Sequence, residues 1–245
     1  METLSPQDAS FLHLETGVSQ MHIGSTLIVE GPPPDHREVL DAVASKLQFI
    51  PRYRQKVRFV PLDLGRPVWV DDPHFNLGYH VRRTALPEPG SEEQLRNLIG
   101  RLMSQQLDRG KPLWEIWLAE GLAEDRWAVV TKVHHCMVDG VSGAELLAAL
   151  LDVEADAEPP PAADWLPEPE PSDVELVQHA IRERIAVPAE GFRTIRAGFR
   201  RPRRVASTLL ENARAIADFA DVRGVPSGDR PRSLNGPIGS HRSYA

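Results

Sequence analysis

The sequence predicts an α+β fold, an α/β sandwich in which helices flank a mixed or antiparallel sheet. Strand-like and helical segments mix without the strict strand–helix–strand rhythm of a parallel sheet. Capping-box patterns open the amphipathic stretches. Two strand-like runs, Leu113–Glu120 and Trp127–Val133, follow one another across Gly121–Arg126, as an antiparallel pair would.

Taken in order, Met21–Glu30 alternates, with Ile23, Leu27 and Val29 on one face, which reads as a strand. Asp35-His-Arg-Glu38 is a capping box ahead of Val39, Leu40, Val43, Ala44 and Leu47 at helical spacing. Arg54–Val60, Val68–Asp71 and Tyr79–Thr84 read as short strands separated by proline and glycine. Ser91-Glu-Glu-Gln94 caps a second helix with the stripe Leu95, Leu98, Ile99, Leu102 and Met103. After the antiparallel pair, Ser142-Gly-Ala-Glu145 opens another helix that buries Ala144, Leu147, Leu150 and Leu151. Between Glu154 and Glu175 stand eight acids, six prolines and no base, a stretch too polar and stiff for a core. It divides a compact domain, 1–153, from a helical, arginine-rich part, 176–245, with 154–175 as linker or surface crossover. Ser172-Asp-Val-Glu175 caps a further helix, whose Val174, Val177, Ile181 and Ile185 are expected to face protein.

Composition narrows the function classes. The 245 residues carry 28 basic and 35 acidic side chains, a net charge of −7, which argues against a general nucleic-acid binder. The longest aliphatic run, Leu146–Leu151, is far shorter than the roughly 20 residues of a membrane span. The N-terminus lacks the basic and apolar regions of a signal peptide, and one cysteine cannot form an internal disulfide. The expectation is a soluble, cytoplasmic chain.

Chemistry concentrates in Val129-Val-Thr-Lys-Val-His134-His135-Cys136-Met-Val-Asp139-Gly140. A β-branched strand runs into two histidines, then a turn signal and a capped helix, where rigid backbone meets open space. Zinc is one alternative, since His134 and Cys136 could share a strand face. Local zinc pairs, however, usually have two to four intervening residues, and no second such pair is present. A histidine pair satisfied in the core, with Asp139-Gly140 merely turning the chain, is another. In the functional reading one histidine is a general base that accepts a proton as an alcohol or thiol attacks a carbonyl. Asp139 would orient it or shape the loop. No Gly-x-Ser-x-Gly elbow, Walker-type loop or dinucleotide fingerprint occurs, and nothing implies a tightly held cofactor or a metal.

His134-His135-Cys136-Met137-Val138-Asp139-Gly140 resembles the HHxxxDG pattern of CoA-dependent acyltransferases and of peptide-synthetase condensation domains. Four further segments narrow the resemblance to the bacterial wax ester synthase/diacylglycerol acyltransferase family, in particular the actinobacterial triacylglycerol synthases. They are Leu4-Ser-Pro-Gln-Asp8-Ala-Ser-Phe11-Leu12, Asp71-Asp-Pro-His-Phe75-Asn-Leu-Gly78-Tyr-His80-Val, Leu107-Asp-Arg-Gly-Lys-Pro112-Leu113-Trp114-Glu-Ile-Trp117 and Ser233-Leu-Asn235-Gly236-Pro237-Ile238-Gly239.

The resemblance implies a chloramphenicol-acetyltransferase-like fold of two related halves around a channel. Acyl-CoA, a substrate rather than a cofactor, would enter from one side, and diacylglycerol or a fatty alcohol from the other. His135 would be the general base, with His134 and Asp139 supporting it. Gly140 would let the loop turn. Pro112, Leu113, Trp114 and Asn235 are assigned to structure, loop or channel lining. Family members run to about twice this length, so the chain resembles an N-terminal half whose partner would be the C-terminal half. The rivals are a condensation-type transferase fed by a carrier protein and a non-catalytic lipid-surface module.

From Arg182 to Arg204 there are eight arginines and two acids. If 192–200 is helical, Phe192, Ile195 and Phe199 form an apolar stripe flanked by Arg193, Arg196 and Arg200. That pattern suits peripheral contact with the inner membrane face or a lipid droplet. The alternative is an exposed helix whose arginines meet the acids of 154–175 or CoA phosphates.

Overall fold

A computed structural model of the chain describes residues 1–138, 160–161 and 164–183. The chain divides into two compact units at Asp173 and Val174. In the second, 174–183 are described and are helical.

The described residues of the first unit form two sheets. The larger joins β2 (His22–Glu30), β5 (Val81–Ala85), β6 (Trp114–Leu122) and β7 (Arg126–His134) in the order β2-β7-β6-β5. β7 is antiparallel to both neighbours, whereas β5 runs parallel to β6. The smaller sheet joins β1 (Glu2–Thr3), β3 (Gln55–Arg58) and β4 (Val68–Asp71) in the antiparallel order β1-β4-β3.

Local chemistry sets the helix ends. Ser5 accepts from the Asp8 amide and starts α1 (Pro6–Leu14), with proline in the first turn, where its missing N–H costs nothing. α2 (His36–Lys46) and α4 (Glu92–Met103) open with complete capping boxes, Asp35 with Glu38 and Ser91 with Gln94. Short α3 (Leu77–His80) is capped by Asn76.

Three apolar clusters hold these layers. α2 buries Val43 and Leu47 against Val81, Trp114, Ile116 and Leu118 of the larger sheet. On that sheet's opposite face α4 buries Leu95, Leu98, Ile99 and Leu102 against Ala119 and Val130. Leu4, Ala9 and Leu12 around α1 pack with Trp69 of β4 and with Leu113 and Cys136. Gly24 permits the close approach of α4 to β2, since a Cβ there would lie 2.7 Å from Met103 Sδ and 2.9 Å from Thr131 O.

Several sequence expectations need correction. Only Gln55–Arg58 of the run Arg54–Val60 is strand, because Pro51–Arg54 forms a 3-10 turn. Tyr79 and His80 belong to α3 rather than to the following strand, since the Asn76 cap starts a helical turn. In the helix after Ser172, Leu176 and Ala180 are buried whereas Val174 and Ile181 are exposed. The buried face is therefore rotated from the stripe Val174, Val177 and Ile181, and Ile185 lies outside the described residues.

The described residues of the proline-rich acidic stretch up to Asp173 belong to the first unit. Lys56 and Arg58 both pair with Glu170, Arg58 also with Asp173, and the Glu168 amide donates to Asp71. Trp165 packs edge-on to Phe75. Its acids thus meet β3 and β4. No described helix is long and apolar enough to cross a membrane.

Candidate active site

β7 ends at His134, and a 3-10 turn, His135–Met137, follows at once. The β2–β7 ladder pairs His22 with His134, and one further bond, His135 N–H to Met21 O at 2.8 Å, extends it past the strand end. The backbone of His135 is therefore held as firmly as a strand residue while its side chain leaves the sheet.

The two histidines have different surroundings. His134 is 1% exposed, and its Nδ1 accepts from the Cys136 amide at 3.1 Å. That assignment leaves the proton on Nε2, which faces Glu15 Oε1 at 3.7 Å, beyond hydrogen-bond reach. Burial pushes the His134 imidazole down to about 4, against a smaller opposing pull from the Glu15 charge. His134 is thus neutral at physiological pH. His135 is half-buried, and its ring lies on Phe11 with centroids 5.0 Å apart and planes inclined by 27°. Phe11 comes from α1, so the first helix forms one side of the site.

Glu15, at the C-terminal end of α1, is buried beside His134. Burial alone would raise its carboxyl. The Arg109 hydrogen bonds, the Met21 amide at 3.3 Å and nearby positive charge outweigh that and hold it below the ordinary carboxylate value. Arg109 reaches Glu15 Oε2 through Nη2 at 2.7 Å and Nε at 3.1 Å, and its Nη2 also donates to Leu12 O. Burial pushes the Cys136 thiol up, so it is no nucleophile at neutral pH.

Leu113 and Trp114 are core residues, 0% and 1% exposed, and Pro112 is buried beside them. Trp114 Nε1 donates to Tyr53 O at 2.8 Å, and His80 stacks on the indole at 4.6 Å. An apolar cavity of about 330 Å³ lies between α2 and the larger sheet, lined by Val39, Val43, Ile116, Leu118, Trp127 and Val129 among others. Asp139, Gly140 and Asn235 lie outside the described residues, as do Phe192, Arg193, Ile195, Arg196, Phe199 and Arg200. Among the described residues no group of three or more His, Cys, Asp or Glu is placed to hold a metal.

Sequence reasoning missed Glu15, and Arg109 entered only within the Leu107–Trp117 motif. They stand 94 positions apart, and neither carries a local signal of pairing. Phe11 entered only as part of a motif, without its contact to His135.

A model of the wax ester synthase/diacylglycerol acyltransferase catalytic domain matches residues 4–245. The chain belongs to the wax ester synthase/diacylglycerol acyltransferase family. Two relatives from Mycobacterium tuberculosis are named as probable diacylglycerol O-acyltransferases. Tgs1 is 49% identical over 154 residues, 62% of this chain and 33% of its own length. Tgs3 is 37% identical over 244 residues, 98% of this chain and 89% of its own. The chain thus spans about a third of the length of one relative and most of the other. The wax ester synthase/diacylglycerol acyltransferase from Marinobacter aquaeolei VT8 superposes with a TM-score of 0.54 at 35% identity, over 66% of this chain and 42% of that one. The chain therefore has the mixed α/β, chloramphenicol-acetyltransferase-like fold of this family.

Proposed function

We propose that this member of the wax ester synthase/diacylglycerol acyltransferase family contributes the general base to an acyl-CoA-dependent O-acyltransferase that makes triacylglycerol from diacylglycerol, or wax ester from a fatty alcohol. The observation that carries the reading is the contrast at the end of β7. His134 is sealed in protein, whereas His135 is half-buried with its backbone fixed by Met21. A base must combine a fixed position with access to substrate, and the fixed backbone and partial exposure of His135 support that role.

In the reaction the imidazole of His135 takes the hydroxyl proton of the acceptor as its oxygen attacks the thioester carbonyl. A C–O bond forms, the carbonyl electrons move onto oxygen, and their return breaks the C–S bond. The departing CoA thiolate takes the proton from the imidazolium, so the products are an ester and free CoA. The C-terminal half of the family fold would supply the other wall of the channel and hold both reactants, an effect that can account for about 7–11 kcal/mol of barrier lowering.

The test is to incubate palmitoyl-CoA and dioleoylglycerol with this chain alone and with the second half of a family member added, following CoA release and triacylglycerol. His135→Ala is expected to reduce turnover by about 10²–10⁴-fold. Turnover with an acylated carrier protein but not with palmitoyl-CoA would favour the condensation-type reaction. No His135-dependent turnover with any donor would sink the enzymatic reading.

A further inference from the structure

We infer that Glu15 is a positioning residue for His135, acting from the end of α1 through the backbone of Met21. The inference rests on the reading of His135 as the base.

The buried Glu15 carboxylate faces donors on both of its oxygens. Oε1 accepts from the Met21 amide at 3.3 Å and faces His134 Nε2 at 3.7 Å. Oε2 accepts twice from Arg109, at 2.7 and 3.1 Å. Met21 is therefore held from both ends. Its N–H is fixed by Glu15, and its carbonyl accepts the His135 N–H at 2.8 Å. The turn is held a second time through His134, whose Nδ1 takes the Cys136 amide while its Nε2 faces the carboxylate.

Arg109 anchors the assembly to the body of the unit. Besides neutralising Glu15 it donates to Leu12 O at 2.8 Å, within α1. The same helix carries Phe11, on which the His135 ring rests. Glu15 thus fixes the His135 backbone through Met21 and secures the helix that carries the ring's support.

An amide cannot replace this carboxylate. It has a single acceptor oxygen, and its NH2 group would confront either Arg109 or the Met21 and His134 donors. A shorter acid keeps all the acceptors but withdraws them by one methylene. The order of damage should therefore be Glu15→Gln above Glu15→Asp, although Gln is the closer match in shape.

The experiment uses the preparation in which His135-dependent CoA release from palmitoyl-CoA is measured. Glu15→Gln is expected to lower kcat by about 10–100-fold, with KM for palmitoyl-CoA within about two-fold of wild type. Glu15→Asp should lose less, and Glu15→Gln should cost nothing further on a His135→Ala background. Hydrogen exchange supplies a readout that needs no turnover. In Glu15→Gln the His135 and Cys136 amides should exchange at least about ten times faster, with the Val130 amide in mid-β7 unchanged. Unaltered kcat and exchange would overturn the inference, as would a loss that adds fully to that of His135→Ala. If His135→Ala itself leaves the rate intact, the acyltransferase reading falls, and exchange at the two amides alone decides whether Glu15 holds the turn.

Discussion

The ring of His135 rests on the ring of Phe11, 5.0 Å away between centroids. The contact joins the first helix to the residue after β7 across 124 positions of sequence, and it gives the half-buried imidazole a preferred orientation.

Removing that support should reduce turnover without abolishing it. An aromatic pair is worth about 0.5–1.5 kcal/mol beyond the area it buries, which corresponds to roughly 2–10-fold in rate if it serves only to orient the base. Phe11→Ala should show that loss in kcat, with KM for palmitoyl-CoA little changed. A steady-state comparison with wild type checks it.

His134 should make the fold sensitive to acid. Its imidazole sits at about 4 in the folded protein, below the 6.5 of an unperturbed side chain. The unfolded chain therefore binds a proton that the folded chain refuses. The neutral-His134 contribution is fully present above pH 6.5 and is lost as pH falls towards 4, by about 3 kcal/mol in all. His134→Asn keeps an acceptor for the Cys136 amide but does not titrate. Urea unfolding at pH 7, 6, 5 and 4 should show a shallower loss of stability in the variant. Identical pH profiles would contradict the assignment.

Trp114 should act as a stability residue. Its indole N–H serves the Tyr53 carbonyl at 2.8 Å, and it stacks on His80, whose Nδ1–H donates to the Trp114 carbonyl at 2.8 Å. Trp114→Phe removes the indole donor from this buried hydrogen bond to the Tyr53 carbonyl. It should cost about 1–3 kcal/mol, read from the urea midpoint at constant m-value.

What the sequence made legible is local. The boxes Asp35–Glu38 and Ser91–Gln94 sit within four residues of the amides they cap, so both helices could be read with their N-termini in place. The β6–β7 pair could be read because its turn lies between two strand-like runs, one rich in tryptophan and leucine and the other β-branched. The tandem His134-His135 marked the site, since titratable residues at the end of a buried strand are conspicuous. Features that depend on distant partners were not legible. The Glu15–Arg109 pair forms only when α1 and the 107–113 loop meet, and no pattern in either segment announces it. Tyr79 and His80 look like strand residues by type, but Asn76 caps a helical turn there. The sequence reads the helix after Ser172 by Val174, Val177, Ile181 and Ile185, the last outside the described residues. Its buried side holds Leu176 and Ala180 instead, because tertiary packing rather than hydrophobicity alone selects the face.

Chemical rescue of His135→Gly tests most directly that His135 is the base. With palmitoyl-CoA and dioleoylglycerol as substrates, the variant should lose about 10²–10⁴-fold in CoA release. Added imidazole should restore turnover in proportion to its concentration. Wild-type CoA release by His135→Gly without imidazole would contradict the role assigned to His135.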